Sequence, residues 1–261
     1  VSSPEAPHLS FVVPCYQGAA FIEASLTRLD RYLREHRGEL GSYEILLVDD
    51  GSRDDTAAIV AERLPQVRVL RHERNRGKGA AVRTGVLASR GQFVFFTDAD
   101  VPFDLDPLPK MLDYLDRKEF HLCIGTRSQS RMPAQVRRGA LRRLASFLFT
   151  EVVSRLVVTG IRDTQCGFKG FRRDAALFLF GESQVDNFAF DVEVLYLAFK
   201  NDLDVKRVPV RLTSDDHSSV SLLRHAPAML WSLARLPFRY HAGRYRSFSG
   251  PTSTEPGDAG T

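Results

Sequence analysis

Asp98 and Asp100 flank a single alanine in the stretch FVFFTDADVPFDLD, residues 93–106, directly after four residues suited to a buried strand. Side chains on an extended chain alternate with a period of two, so these carboxylates would point the same way and repel one another. A hard divalent cation between them and a pyrophosphate removes that repulsion. Mg2+ takes oxygen ligands, keeps several waters and is held by one or two carboxylates plus substrate phosphates. The bland alternative is that one aspartate caps the next helix, and the pair alone leaves both readings open.

A second stretch, NRGKGAAVRTG, sets Gly77, Lys78 and Gly79 in front of a helix. Exposed amides at a helix start, beside a cation, suit a phosphate. The stretch is not a P-loop, since GxxxxGK[ST] is absent, and a solvated turn is its plain alternative. Asp49 and Asp50 precede Gly51 and Ser52, where they begin a turn and cap a helix starting near Asp55. A carboxylate at a strand end can equally accept from the N–H of a nucleobase or from ribose hydroxyls.

The elements that must position these groups alternate through the first half. Strands are expected at Leu9 to Val13, Tyr43 to Val48, Val67 to Leu70 and Phe93 to Phe96, and helices at Phe21 to Arg37, Thr56 to Leu64 and Gly79 to Ala88. Such alternation implies a mostly parallel sheet with helices on both faces and ligands at the carboxyl ends of its strands. Four loops follow those ends: PCYQG, DDGSRDDT, RHERNRGKG and TDADVP. They therefore converge on one edge. Beyond Asp106 the pattern gives a helix, a strand at His121 to Gly125, a basic helical region and a loop RDTQCGFKG. A helix at Asp191 to Lys200, a strand at Val205 to Leu212 and a final basic helix complete it.

Composition limits what these parts can form. The 261 residues are 43% hydrophobic, enough for one large α/β domain. The net charge of +4 is mild but unevenly spread: six arginines and no carboxylate lie from Arg127 to Thr150, and five arginines and again none from His217 to Thr254. Both segments point to an anionic partner. A nucleic acid is disfavoured, because the arginines are not interleaved with a base-stacking or helix-turn-helix signature. Cys15, Cys123 and Cys166 are too few and too scattered for a disulfide framework or a zinc site, so a reducing compartment is the default. No signal peptide is evident, and the apolar stretch Leu141 to Val158 is broken by Arg142, Arg143, Glu151 and Arg155.

Taken together, Pro14 and Tyr16 in PCYQG, VDDGS, NRGKG and DAD resemble the nucleotide-sugar half of family 2 glycosyltransferases, with their A-type α/β fold. In the second half GIRDTQCGFKGF, FAFDVEVLYLA and LARLPFRYHAGRY resemble the dolichyl-phosphate β-glucosyltransferases. The resemblance covers roughly residues 9–246 and is most specific in GIRDTQCGFK. It implies one A-type domain over 1–246, with a nucleotide-sugar half at 1–104, an acceptor half at 105–246 and a disordered tail at 247–261. It also implies inverting transfer of glucose from UDP-glucose to a polyprenyl phosphate, giving a β-linked glucosyl phosphate lipid and UDP. GDP-mannose as donor, or a soluble hydroxyl acceptor, is the alternative within the family.

Carried over by position, Pro14, Tyr16 and Asp50 hold the uracil and ribose, Lys78 lies near the diphosphate, and Asp98 and Asp100 hold ribose and a Mg2+ or Mn2+ ion. Arg127, Arg137, Arg138, Gln165 and Lys169 face the acceptor phosphate, and Asp191 is the catalytic carboxylate. Helical residues two apart point about 200° from each other, so Glu193 turns away when Asp191 faces the site. Two departures stand out: Gln17 and Gly18 replace the Asn-Glu common after the family's first-loop tyrosine, and the N-terminal membrane helix of eukaryotic members is not in this sequence. Either such a segment has been left out of this chain or attachment is peripheral, and peripheral attachment at the cytoplasmic face of a membrane is the expectation. The helix around Met229 to Tyr240, with Leu230, Leu233 and Leu236 against Arg235 and Arg239, either lies in an anionic surface or packs on the domain.

Overall fold

The structure, a computed structural model, describes residues 6–127, 166–213 and 222–248, without the side chains of Arg127 and residues 222–227. Arg137, Arg138, Gln165 and the tail from 249 onward lie outside the described residues. Seven strands, β1 (Leu9–Cys15), β2 (Tyr43–Asp49), β3 (Val67–Arg71), β4 (Phe93–Phe96), β5 (Leu122–Arg127), β6 (Lys169–Arg172) and β7 (Val205–Val210), form one sheet. Its order is β3-β2-β1-β4-β6-β5-β7. Strand β6 runs antiparallel to β4 and β5, and every other pairing is parallel. The loops leaving β1, β2, β3 and β4 therefore share one edge, as the alternation of elements predicts.

Period-two side chains divide the core into two layers. Val12, Val48, Val94 and Phe96 face α4 (Lys78–Ala88), α6 (Arg173–Glu182) and α7 (Phe190–Lys200). Phe11, Val13, Ile45, Leu47 and Phe95 face α1 (Ile22–Glu35), α3 (Thr56–Arg63) and α5 (Leu108–Asp116). In α1 the buried Ile22, Leu26, Leu29 and Leu33 repeat at helical spacing. A one-turn α2 (Arg37–Leu40) ends at Gly41, and α8 (Leu222–Ala234) and α9 (Leu236–His241) close the described chain. Only Arg235 separates α8 from α9, and Pro237, the second residue of α9, removes one backbone donor at the junction.

Two elements differ from the sequence expectation. Lys169 and Gly170, expected in the loop RDTQCGFKG, open the antiparallel strand β6 (Lys169–Arg172), which is followed at once by helix α6, an element absent from the sequence expectation. A four-residue strand beginning with a lysine carries no apolar alternation to betray it. Helix α7 is buried on nearly all sides, from Phe190 to Ala198. Two carboxylates on such a helix must each be given partners.

Candidate active site

The first two loops are stitched together by the side chains of DDGSRDDT. The backbone N–H groups of Gln17, Gly18 and Ala19 donate to Ser52 Oγ (2.8 Å), Thr56 Oγ1 (2.9 Å) and an Asp54 carboxylate oxygen (3.1 Å). Asp49 accepts from the Ser52 amide at 2.9 Å and pairs with Arg71 at 3.1 Å. This leaves Tyr16 standing 44% exposed at the end of β1, whereas Pro14 is a buried strand residue opposite Val48.

Asp50 is almost wholly buried, and both of its oxygens are taken by the third loop. It accepts from the amides of Arg76 (2.9 Å) and Gly77 (2.8 Å) and from His72 Nδ1 (2.7 Å). His72 is itself fixed by Thr84 at 2.9 Å. The structure thus uses this carboxylate to shape the NRGKG loop, a role the sequence reading did not assign. Gly77 has φ 102°, and an added Cβ there would stand 2.4 Å from the Asp186 carbonyl oxygen. Only glycine allows that approach.

That carbonyl corrects the expectation of open amides at the start of α4. Asp186 O accepts from Gly79 N (2.8 Å) and Ala80 N (3.3 Å), so the helix start is capped by protein. What remains for an anion is the cation: Lys78 Nζ donates to Asp98 Oδ1, with the Phe188 ring 5.9 Å away. Burial opposes the charge on Lys78, but Asp98 and Asp191 outweigh it and hold the pKa above its ordinary value.

The DAD loop also departs from the extended geometry. Strand β4 ends at Phe96, and Val101 N donates to Asp98 O at 2.9 Å, so Asp98 to Val101 is a turn and the period-two alternation does not apply. Val101 is buried at φ 43°, a strained conformation for a β-branched residue. Arg28, from α1, donates to the Val101 and Asp100 carbonyls and holds this turn in place. No sequence motif singles Arg28 out.

On the other side Gly167 presses against Asp98, where a Cβ would meet Oδ2 at 2.0 Å. The CGFK stretch, residues 166–169, therefore abuts the DAD loop. Lys169, expected at the acceptor, is fully buried instead and donates to Asp191 Oδ1 (2.5 Å) and Cys166 O (2.7 Å). Burial pushes the Asp191 carboxyl above its ordinary range, against the pull of Lys169 and Lys78. Glu193 points away, accepting from Gln184 N (3.0 Å), Val185 N (2.8 Å) and Tyr245 OH (2.8 Å). Thus Lys78, Asp98, Lys169 and Asp191 form a run of alternating charges at the carboxyl edge of the sheet. Arg127 ends β5.

The donor set suits a hard divalent ion: Asp98 is 30% exposed at its side chain, and its neighbour Asp100 is half-buried. Among the described residues there is no cluster of three His, Cys, Asp or Glu able to enclose a metal. One or two carboxylates plus substrate phosphates are what Mg2+ ordinarily uses, so the residues fit an ion that arrives with a diphosphate.

The family model for glycosyl transferase family 2 matches residues 10–180. A dolichyl-phosphate β-glucosyltransferase of Dictyostelium discoideum is 35% identical over 92% of this chain and 76% of its own length. That of Homo sapiens is 34% identical over 91% and 77%. A solved glucosyl-3-phosphoglycerate synthase of Mycobacterium tuberculosis, in complex with Mn2+ and UDP, superposes with a TM-score of 0.61 at 19% identity, over 87% of this chain and 80% of that one, a likeness of fold. The chain belongs to glycosyl transferase family 2, among the dolichyl-phosphate β-glucosyltransferases and their relatives.

Proposed function

We propose that this glycosyltransferase moves glucose from UDP-glucose to a polyprenyl phosphate of the dolichyl type, with inversion at C1, releasing UDP. The observation that carries the reading is the meeting of the Lys78–Asp98 pair with Gly167 and the Lys169–Asp191 pair at the carboxyl edge of the sheet. The names of the relatives support the sugar and the acceptor, since they are dolichyl-phosphate β-glucosyltransferases. A lipid acceptor sets the protein at a membrane surface, as a peripheral enzyme on the cytoplasmic face.

In this reading Tyr16 borders the uracil, and Asp50 serves the donor by holding the third loop. Asp98 and Asp100 hold Mg2+ or Mn2+. That ion, when bound, neutralises charge on the diphosphate. Lys78 supplies a fixed positive charge beside the departing diphosphate, the kind of preorganised electrostatic contribution that dominates many sites. Arg127, Arg137, Arg138 and Gln165 orient the acceptor phosphate, the arginines through charge-assisted bidentate bonds. One oxygen of that phosphate forms the new bond to C1 as the bond from C1 to the UDP oxygen breaks. A phosphate monoester is already mostly dianionic at neutral pH, so no proton must be taken from it. Asp191, held by Lys169, orients acceptor or sugar.

Calorimetry with UDP and GDP in the presence of Mn2+ tests the donor side. UDP should bind at least about tenfold more tightly, a difference of ~1.4 kcal/mol. Equal affinity for the two nucleotides would contradict the UDP assignment.

A further inference from the structure

The last two helices carry a surface that the catalytic reading leaves unused. Among the described residues five large apolar side chains are exposed, and the two most exposed, Trp231 at 64% and Phe238 at 74%, both lie here. Of the two arrangements open from sequence, the leucines take the packed one: Leu233 and Leu236 are fully buried with Met229 in the core. Arg239 also turns inward, toward Tyr245 and Glu193. The outward stripe is therefore a different one: Ala228, Trp231, Ala234, Arg235, Phe238 and His241, all exposed and three or four residues apart with Ala234 and Arg235 side by side.

We propose that this stripe is the face on which the protein sits on an anionic bilayer, a surface that deepens the lipid-phosphate reading and rests on it only for the direction from which the acceptor arrives. Charge selects the occupant. No aspartate or glutamate occurs from His217 to Thr254. Glu182, beside this region, is already paired with Arg246 at 2.6 Å. The Arg235 guanidinium lies over the Trp231 ring, 4.9 Å from its centre, so one contact joins the cation to the amphipathic ring that favours headgroup depth. Anionic headgroups satisfy the arginine while the two aromatic rings leave water, a pairing that neither a neutral bilayer nor an acidic soluble protein offers in full.

The surface is also fastened to the site. Asn187 donates to Ser232 Oγ at 3.0 Å and to Ala228 O at 3.5 Å on α8. It directly follows Asp186, whose carbonyl caps the helix that begins with Lys78, and precedes Phe188, whose ring lies by the Lys78 ammonium. A bilayer on the stripe thus lies one loop from the charged cluster.

Trp231 is the only tryptophan in the chain, so its own emission reads the contact. The full chain is titrated with phosphatidylcholine vesicles, with and without phosphatidylserine. The proposal requires a blue shift and protection from iodide quenching with the anionic vesicles alone. Phe238→Ser should weaken vesicle binding about tenfold, and Arg235→Gln about fivefold, while transfer to a water-soluble short-chain prenyl phosphate stays at the wild-type rate. No spectral change with anionic vesicles overturns the proposal, and so does an equal change with neutral ones. A blue shift produced by raising protein concentration without lipid also overturns it, by giving the stripe to a second copy of the chain. Wild-type protein that binds anionic vesicles yet transfers no sugar upholds the surface and defeats the catalytic reading instead.

Discussion

Replacing Gly167 by alanine adds one methyl group at the point where the second half of the chain meets the DAD loop. The new carbon would lie 2.0 Å from Asp98 Oδ2 and 2.4 Å from its carboxyl carbon, against an ordinary contact of 3.4 Å or more. More than an ångström must be found. Asp98 can swing away, which breaks its charge-assisted bond to Lys78 at a cost of roughly 1.5–3 kcal/mol. Otherwise the Cys166–Lys169 segment retreats, and Lys169, tied to Cys166 O at 2.7 Å, loosens its hold on Asp191. Either way a displacement near 1 Å reaches the charged cluster, and misplacement on that scale costs about 10²-fold in rate. The overpacking itself should lower stability by only about 1–3 kcal/mol. The assay is kcat/KM for transfer to lipid phosphate, with thermal melts alongside. Gly181→Ala is the control: an added carbon on that exposed position of α6 meets nothing within 4 Å, and activity should be unchanged. Gly167→Ala that keeps activity within twofold of the parent, while folding normally, would refute the convergence on which the site rests.

Arg28→Ala releases the carbonyls of Asp100 and the strained Val101, so the half-saturating Mn2+ concentration should rise about tenfold, in line with ~1.5–3 kcal/mol for hydrogen bonds to a charged group. Unaltered metal dependence would remove Arg28 from the site's support. Burial holds the Glu193 carboxyl above its ordinary 4.5, even with Tyr245 and two amides donating to it, so the native state binds this proton more tightly than the unfolded chain. Its stabilisation is therefore complete below pH 4.5 and is lost as pH rises through the raised native value. Glu193→Gln should flatten that part of the Tm-against-pH curve, and a curve with the parent's slope would assign the effect to another group. For Asp191→Asn the acidic limb of the pH–rate profile should persist, because it belongs to the acceptor phosphate, whose second ionisation lies near pH 6. Disappearance of that limb would make Asp191 a true base.

Much of this was legible in the chain. Strands β1, β2, β3 and β4 are short apolar runs ended by polar loops, and their alternation with helices sufficed to place PCYQG, DDGSRDDT, NRGKG and DAD on one edge. The opposed directions of Asp191 and Glu193 followed from helical pitch alone. What escaped was set by partners distant in sequence. Nothing local says that Asp50 spends both oxygens on amides 26 and 27 residues away. Lys169 reads as a free cation until β6 folds it under the sheet against Asp191, and the amides before α4 read as open until Asp186 arrives to cap them. Likewise the leucines of the last helices match either face by spacing, and only the position of the core decides that Trp231 and Phe238 remain outside.

Identification of the product tests the central claim most directly. The protein, with Mg2+ or Mn2+, is given UDP-glucose, UDP-N-acetylglucosamine and GDP-mannose in parallel, each with and without a polyprenyl phosphate, and the lipid fraction is read by mass spectrometry and by the anomeric proton coupling. The account predicts a hexosyl phosphate lipid formed from UDP-glucose alone, β-linked, with stoichiometric UDP. A mannosyl lipid from GDP-mannose, an α-linked product, or sugar transferred only to a soluble hydroxyl acceptor would contradict it.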